Sequence, residues 1–334
     1  MTLFKREKET FLFYTNEGKR VARDTEVRLD PLTGASSRIV FDPGFTPPKQ
    51  DFIKVAEQTR GKNCPFCPEN VIKVTPRFPE EVVPEGRVSY GEAIVAPNLF
   101  PYSKYNGVTI MTEDHFVKLE EFSSERIQNA FYASQLYIEA VQKKESTSLY
   151  RSINWNYLPQ SGGSILHPHL HVIISKSPTN YQRQFDYHAK RFEKEKGSSY
   201  FTILYEKEKE LGERFIGEVG AVSLLHSFAP KNHLDFLVLF PEKSRINELN
   251  EADWNDFGQV VQSIFKTFNE YSIQSFNMLL HESHANSPLH ARFVPRLILN
   301  ELGTSDMNFF QTVHEEPLVY KVPEDVTKIA RKYI

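Results

Sequence analysis

At 334 residues, with 25% charged and 40% hydrophobic side chains, the chain suits one large domain or two ordinary ones and has a globular make-up. Its net charge of −3 lacks the broad positive field that binding a nucleic-acid backbone requires. No window approaches the ~18 apolar residues of a membrane span, and the opening MTLFKREKETFLFY has no apolar core of signal-peptide length, so a cytoplasmic protein without membrane or nucleic-acid partners is expected.

Taken in chain order, the first chemical landmark is the cysteine pair Cys64 and Cys67. Two cysteines exclude a disulfide framework and leave a metal or redox site. Pro65 and Pro68 speak against a helix starting there, and no thioredoxin-like context surrounds them. An internal repeat follows. Its first copy, from about Gly91 to Lys176, reads as extended segments Glu92 to Pro101 and Gly107 to Thr112, then a helix from Ser124 to Lys143. That helix has Ile127, Phe131, Ile138 and Val141 at helical spacing and Ser123 as its cap. The strand Tyr150 to Tyr157, a polar turn at Gln160 to Ser164 and the strand His167 to Ser175 close the copy.

The segment Gln182 to Lys196 reads as an amphipathic surface helix, with Glu206 to Glu210 as its solvated continuation. The second copy, from about Gly217 to Leu299, has the segments Ala221 to Phe228 and Leu234 to Phe240 and a helix from Glu251 to Glu270. The strands Ser275 to Leu280 and Leu289 to Pro295 end it. Asn156 stands 13 residues before His169, and Asn277 stands 13 before His290. His226 and His233 read as packing or surface residues, and the tail from Val322 as a short terminal helix. Strands joined by short turns, with helices on one face, make an α+β fold.

The closing strands of the two copies differ in chemistry. The first carries His167-Pro168-His169-Leu170-His171; the second carries Pro288-Leu289-His290-Ala291-Arg292. Alternation on a strand would put His167, His169 and His171 on one side. Such a row suits either metal ligation or reaction. The turn Gln160-Ser161-Gly162-Gly163-Ser164 can bring backbone N–H groups close to an anion. A neutral imidazole whose other nitrogen is held by an acceptor can attack phosphorus and later leave, splitting one displacement into two. The second copy is read as mainly packing.

These residues resemble the galactose-1-phosphate uridylyltransferase family of the histidine-triad superfamily. The likeness is carried by Arg28-Leu29-Asp30-Pro31-Leu32-Thr33-Gly34, Cys64-Pro65-Phe66-Cys67-Pro68-Glu69-Asn70, Pro97-Asn98-Leu99-Phe100-Pro101 and Asp114-His115. Asn156, Ser164, His167-Pro168-His169 and Leu289-His290-Ala291-Arg292-Phe293 complete it. The resemblance implies two histidine-triad-like halves, residues 1–200 and 201–334, forming an antiparallel half-barrel sheet flanked by helices. It implies His169 as the nucleophile of a ping-pong nucleotidyl transfer, with Asn156 and Ser164 on the phosphates and Gly162, Gly163 and His171 beside them. It also implies zinc on Cys64, Cys67, His115 and His167 in a structural role. The ligands would be a nucleoside-diphosphate sugar and a sugar 1-phosphate, with UDP-glucose and galactose 1-phosphate as the default pair, in a homodimer.

The sequence departs from that family at three places. His171 replaces the glutamine of the transferases, a pattern of the hydrolytic and nucleotide-binding branches. It leaves open an ADP-glucose or dinucleoside polyphosphate phosphorylase or hydrolase, and a non-catalytic nucleotide-binding protein. A second, iron-type site is expected to be absent, because Arg292 stands where a histidine belongs and Asn180-Tyr181 where a glutamate belongs. His281, His284 and His290 then read as structural. The paired arginines beyond the Asp-Pro-Leu-Thr segment are also missing.

Overall fold

The computed structural model describes residues 3–61, 64–145, 147 and 149–334. Strands β1 (Lys5–Tyr14), β2 (Arg20–Leu29) and β3 (Ser36–Ile39) come first, then helices α1 (Phe52–Thr59) and α2 (Pro68–Val74). The first copy comprises β4 (Val88–Tyr90), β5 (Ala93–Pro97), β6 (Tyr105–Ile110), α3 (Ser124–Lys144), β7 (Tyr150–Tyr157) and β8 (His169–Ser175). Helices α4 (Asn180–Lys196) and α5 (Tyr200–Leu211) lead to the second copy: β9 (Phe215–Val219), β10 (Val222–His226), β11 (Phe236–Phe240), α6 (Glu251–Glu270), β12 (Ser275–His281) and β13 (Leu289–Arg296). The short α7 (Phe309–Thr312), β14 (Leu318–Val319) and α8 (Pro323–Ala330) end the chain.

Both copies join one open ten-stranded sheet, ordered β4-β5-β6-β8-β7-β12-β13-β11-β10-β9. Every neighbouring pair is antiparallel. Outward from the β7–β12 seam the order reads the same in both directions, as a repeat requires. The sheet is not closed into a barrel; β4 and β9 are its free edges.

Strand alternation sorts the residues onto two faces. Leu170, Val172, Ile153, Trp155, Phe276, Leu280, Ala291 and Phe293 bury one face against Ile127, Phe131 and Ile138 of α3 and Phe257, Val261 and Ile264 of α6. Ser123 caps α3 by accepting the Arg126 N–H, and Asn250 with Asp253 forms a capping box on α6. The other face carries His169, His171, Asn154, Asn156, Asn277 and Arg292, because these residues fall in paired register or two apart along one strand.

Several expectations are corrected. Pro68 begins α2 rather than preventing it; a proline needs no N–H at the first helical position, and Cys67 sits at the cap. The segment after Pro178 is two helices, broken at Gly197, not one with a solvated extension. Their apolar stripe (Phe185, Phe192, Tyr200, Phe201, Leu204) covers Leu225, Leu237 and Leu239 on the polar side of the second half. Of the packing or surface roles expected for His226 and His233, their burial fits packing. The regular strand β8 starts at His169, two residues late, and β5 spans only Ala93–Pro97. The sheet β1-β2-β3-β14 has no counterpart in the expectations.

Candidate active site and metal centre

Cys64, Cys67, His115 and His167 are all buried, and their ligand atoms lie within 4.8 Å of one another. Cys67 Sγ is 3.3 Å from His115 Nδ1, and Cys64 Sγ is 3.7 Å from His167 Nδ1. Tetrahedral zinc, with bonds of about 2.0–2.3 Å, holds its ligands roughly 3.6 Å apart, so the set fits that ion with little movement. The far nitrogens are tied down. His167 Nε2–H donates to the Thr112 carbonyl at 2.7 Å, which leaves Nδ1 as the bare ligand atom. Thr59 Oγ1 gives its proton to the Val55 carbonyl at 2.8 Å, so it accepts from His115 Nε2–H at 2.9 Å. Gly61 N–H points at Cys67 Sγ at 3.4 Å. Burial pushes the Cys64 thiol up to about 12, so a thiolate there needs a cation.

Two residues on from His167, His169 Nδ1–H donates to the His167 carbonyl at 2.8 Å. Since a carbonyl only accepts, the proton is on Nδ1 and the lone pair on Nε2. Burial pushes this imidazole down to about 4, so it is neutral near pH 7. Phe66, inside the cysteine loop, lies 5.3 Å from the His169 ring and 6.1 Å from His167, joining the candidate metal cluster to the His169 ring by packing. His171 is 5.2 Å from His169 and 5.9 Å from Tyr102, and its buried Nδ1 has no hydrogen-bond partner among the described residues.

The turn behaves differently from expectation. Gly162 N–H donates to the Pro159 carbonyl and Gly163 N–H to the Leu158 carbonyl, so neither is free for an anion. Their glycine character shapes the turn instead. Gly162 has φ +89°, and a Cβ on Gly163 would lie 3.0 Å from the Leu158 carbonyl oxygen. Ser164 follows on the exposed side. Asn156 and Asn154 stand on β7 beside β8, on the face of the two histidines.

No family model matches the chain. An uncharacterized protein of Archaeoglobus fulgidus is 32% identical over 323 residues, 94% of each chain. The chain belongs to one family with it. Among solved structures, a galT-like protein from Arabidopsis thaliana has a TM-score of 0.71 at 17% identity, covering 92% of this chain and 99% of that one. An ADP-glucose phosphorylase from Arabidopsis thaliana, with ADP-glucose bound, gives the same values. A uridylyltransferase has a TM-score of 0.66 at 18% identity, covering 92% and 98%. The chain therefore shares the fold of these galT-like, phosphorylase and uridylyltransferase structures.

In the second copy the equivalent strand is sealed. His281 and His290 lie 4.5 Å apart, with Phe185 at 5.3 and 4.9 Å and Phe201 at 4.3 Å from His290. Arg292 pairs with the buried Asp235. Sequence reading missed Thr59, Thr112 and Phe66, which bond or pack against His115, His167 and His169. A backbone carbonyl acceptor such as that of Thr112 leaves no trace in residue type.

Proposed function

We propose that the chain is a nucleotidyltransferase working through His169. The observation that carries this reading is the His169 ring itself: buried, neutral, with Nδ1–H held by a carbonyl and Nε2 bearing the lone pair. Nε2 attacks the α-phosphorus of a nucleoside-diphosphate sugar. The bond to the bridging oxygen breaks and sugar 1-phosphate departs, leaving a nucleotidyl group on nitrogen. An acceptor oxygen then attacks phosphorus, the P–N bond breaks, and the neutral ring returns. Asn156, Ser164 and His171 donate to the phosphoryl oxygens as charge builds there.

The first-choice acceptor is a hexose 1-phosphate, as in UDP-glucose–hexose-1-phosphate exchange. A second reading, phosphorolysis of ADP-glucose, is favoured by His171 and by the likeness to an ADP-glucose phosphorylase with ADP-glucose bound. The residues 1–200 would carry the chemistry, and 201–334 a degenerate copy. Zinc on Cys64, Cys67, His115 and His167 would be structural: it would tie the cysteine loop and the Thr112–His115 segment to the start of β8. The test is to mix the protein with UDP-glucose or ADP-glucose labelled at the α-phosphorus and quench in alkali. Label should appear on wild type and be absent from a folded His169→Ala. Equal labelling of that variant defeats the reading. Products formed with galactose 1-phosphate, phosphate or water then separate the acceptors.

A further inference from the structure

Asn277 is the second copy's counterpart of Asn156, and the two are direct partners across the β7–β12 seam. Asn277 Nδ2 lies 2.7 Å from Asn156 Oδ1 and 2.9 Å from the Ser161 carbonyl oxygen, while its Oδ1 lies 3.4 Å from Arg296 Nη1. The outer partners decide which end of each amide is oxygen. A guanidinium only donates and a carbonyl only accepts. Asn277 must therefore turn its oxygen to Arg296 and its NH2 to Ser161. That same NH2 reaches Asn156, so the atom Asn156 presents to the seam must be its oxygen. The Asn156 NH2 is left at the other end of its amide, on the sheet face that carries His169 and His171. Arg296 is itself held, with Nε and Nη2 at 3.2 and 3.1 Å from Asp306 Oδ1. Asp306 is buried and takes a further bond from Asn232 Nδ2 at 3.1 Å.

We propose that Asn277, anchored through Arg296 and Asp306, is a positioning residue that fixes the Asn156 amide with its N–H groups toward the nucleotide phosphates. This rests on the nucleotidyl-transfer reading. An unanchored amide presents oxygen or NH2 with similar ease, and oxygen facing a phosphoryl oxygen turns attraction into repulsion. The second copy, whose own closing strand is sealed, thus still orients a group in the site of the first.

Asn277→Asp tests it. Aspartate keeps the shape and suits Arg296, but it has no N–H for Ser161 or Asn156. Asn156 would then turn its NH2 to the carboxylate. Binding of UDP and ADP, measured by calorimetry, should weaken roughly ten- to a hundred-fold. In an Asn156→Ala background the same change should alter affinity less than about two-fold. Equal losses in both backgrounds, or wild-type affinity in the single variant, overturn the proposal. A ligand-free measurement stands beside this. In protein labelled with ¹⁵N-asparagine, the Asn277 side-chain amide protons should exchange slowly and those of Asn156 quickly; the reverse order overturns the assignment. If wild type binds neither nucleotide, the nucleotidyl-transfer reading falls, an outcome distinct from failure of the variant.

Discussion

At the scale of single residues, the imidazoles of His115, His167 and His169 each take their proton position from what one ring nitrogen meets. Thr112 and His167 offer carbonyls, and Thr59 offers a hydroxyl whose own proton is already given away. Thr59→Val removes the acceptor behind His115 while keeping the shape. Its affinity for zinc should fall about ten- to a hundred-fold, read by competition with a chromogenic chelator; unchanged affinity would show that His115 needs no such support. Cys64 and Cys67 were legible in the chain as a Cys-x-x-Cys pattern, whereas His115 and His167 joined them only through the family resemblance. Thr59 was not legible, since its role depends on α1 ending beside a loop more than fifty residues further on.

At the scale of elements, α4 and α5 show how a fold with two like halves covers the polar face of the second. Both are capped by hydroxyls, Thr179 and Ser199, and both stop at a glycine with positive φ. Their aromatics stand over His281 and His290. Phe201 is fully buried there, so Phe201→Ala should cost about 3–5 kcal/mol in a denaturant melt. A loss under about 1 kcal/mol would mean that the helices cover the sheet loosely. The amphipathic stripe of α4 was readable, but the surface it covers was not, because periodicity identifies an apolar face without naming its partner. The sheet β1-β2-β3-β14 escaped for the opposite reason. Strand β1 begins KREKET, exposes nearly every side chain and shows no alternation. It is held by its ladder to β2 and by cross-strand pairs such as Lys8–Asp24.

At the scale of the whole molecule, Glu324 of α8 ties three regions together. Its carboxylate receives both terminal nitrogens of buried Arg28 at 2.9 Å and Arg214 Nη1 at 2.6 Å. Arg28 opens the Arg28-Leu29-Asp30-Pro31-Leu32-Thr33-Gly34 motif, whose Asp30 accepts from the Leu32 and Thr33 N–H groups to fold its own turn. Burial opposes the charge on Glu324, but the hydrogen bonds and charge of Arg28, then Arg214, hold the group down at about 2. A carboxyl with a depressed folded pKa stabilises the fold above its unfolded value and loses that contribution as pH falls through the folded one. Stability on the order of 2 kcal/mol should therefore fade between pH 4.5 and about 2. Glu324→Gln should be less stable at pH 7 by a similar amount and show a flatter acid limb in urea melts. An unchanged acid limb would remove Glu324 from the account.

The β7–β12 ladder has a consequence for any attempt to take the protein apart. Severing the backbone near residue 200 would strip each fragment of its neighbour along a central strand, baring backbone donors and acceptors together with Ile153, Trp155, Phe276 and Leu280. Expressed alone, either fragment should precipitate; expressed together, they should co-purify. Each copy of the repeat thus serves as the sheet neighbour that the other would lack.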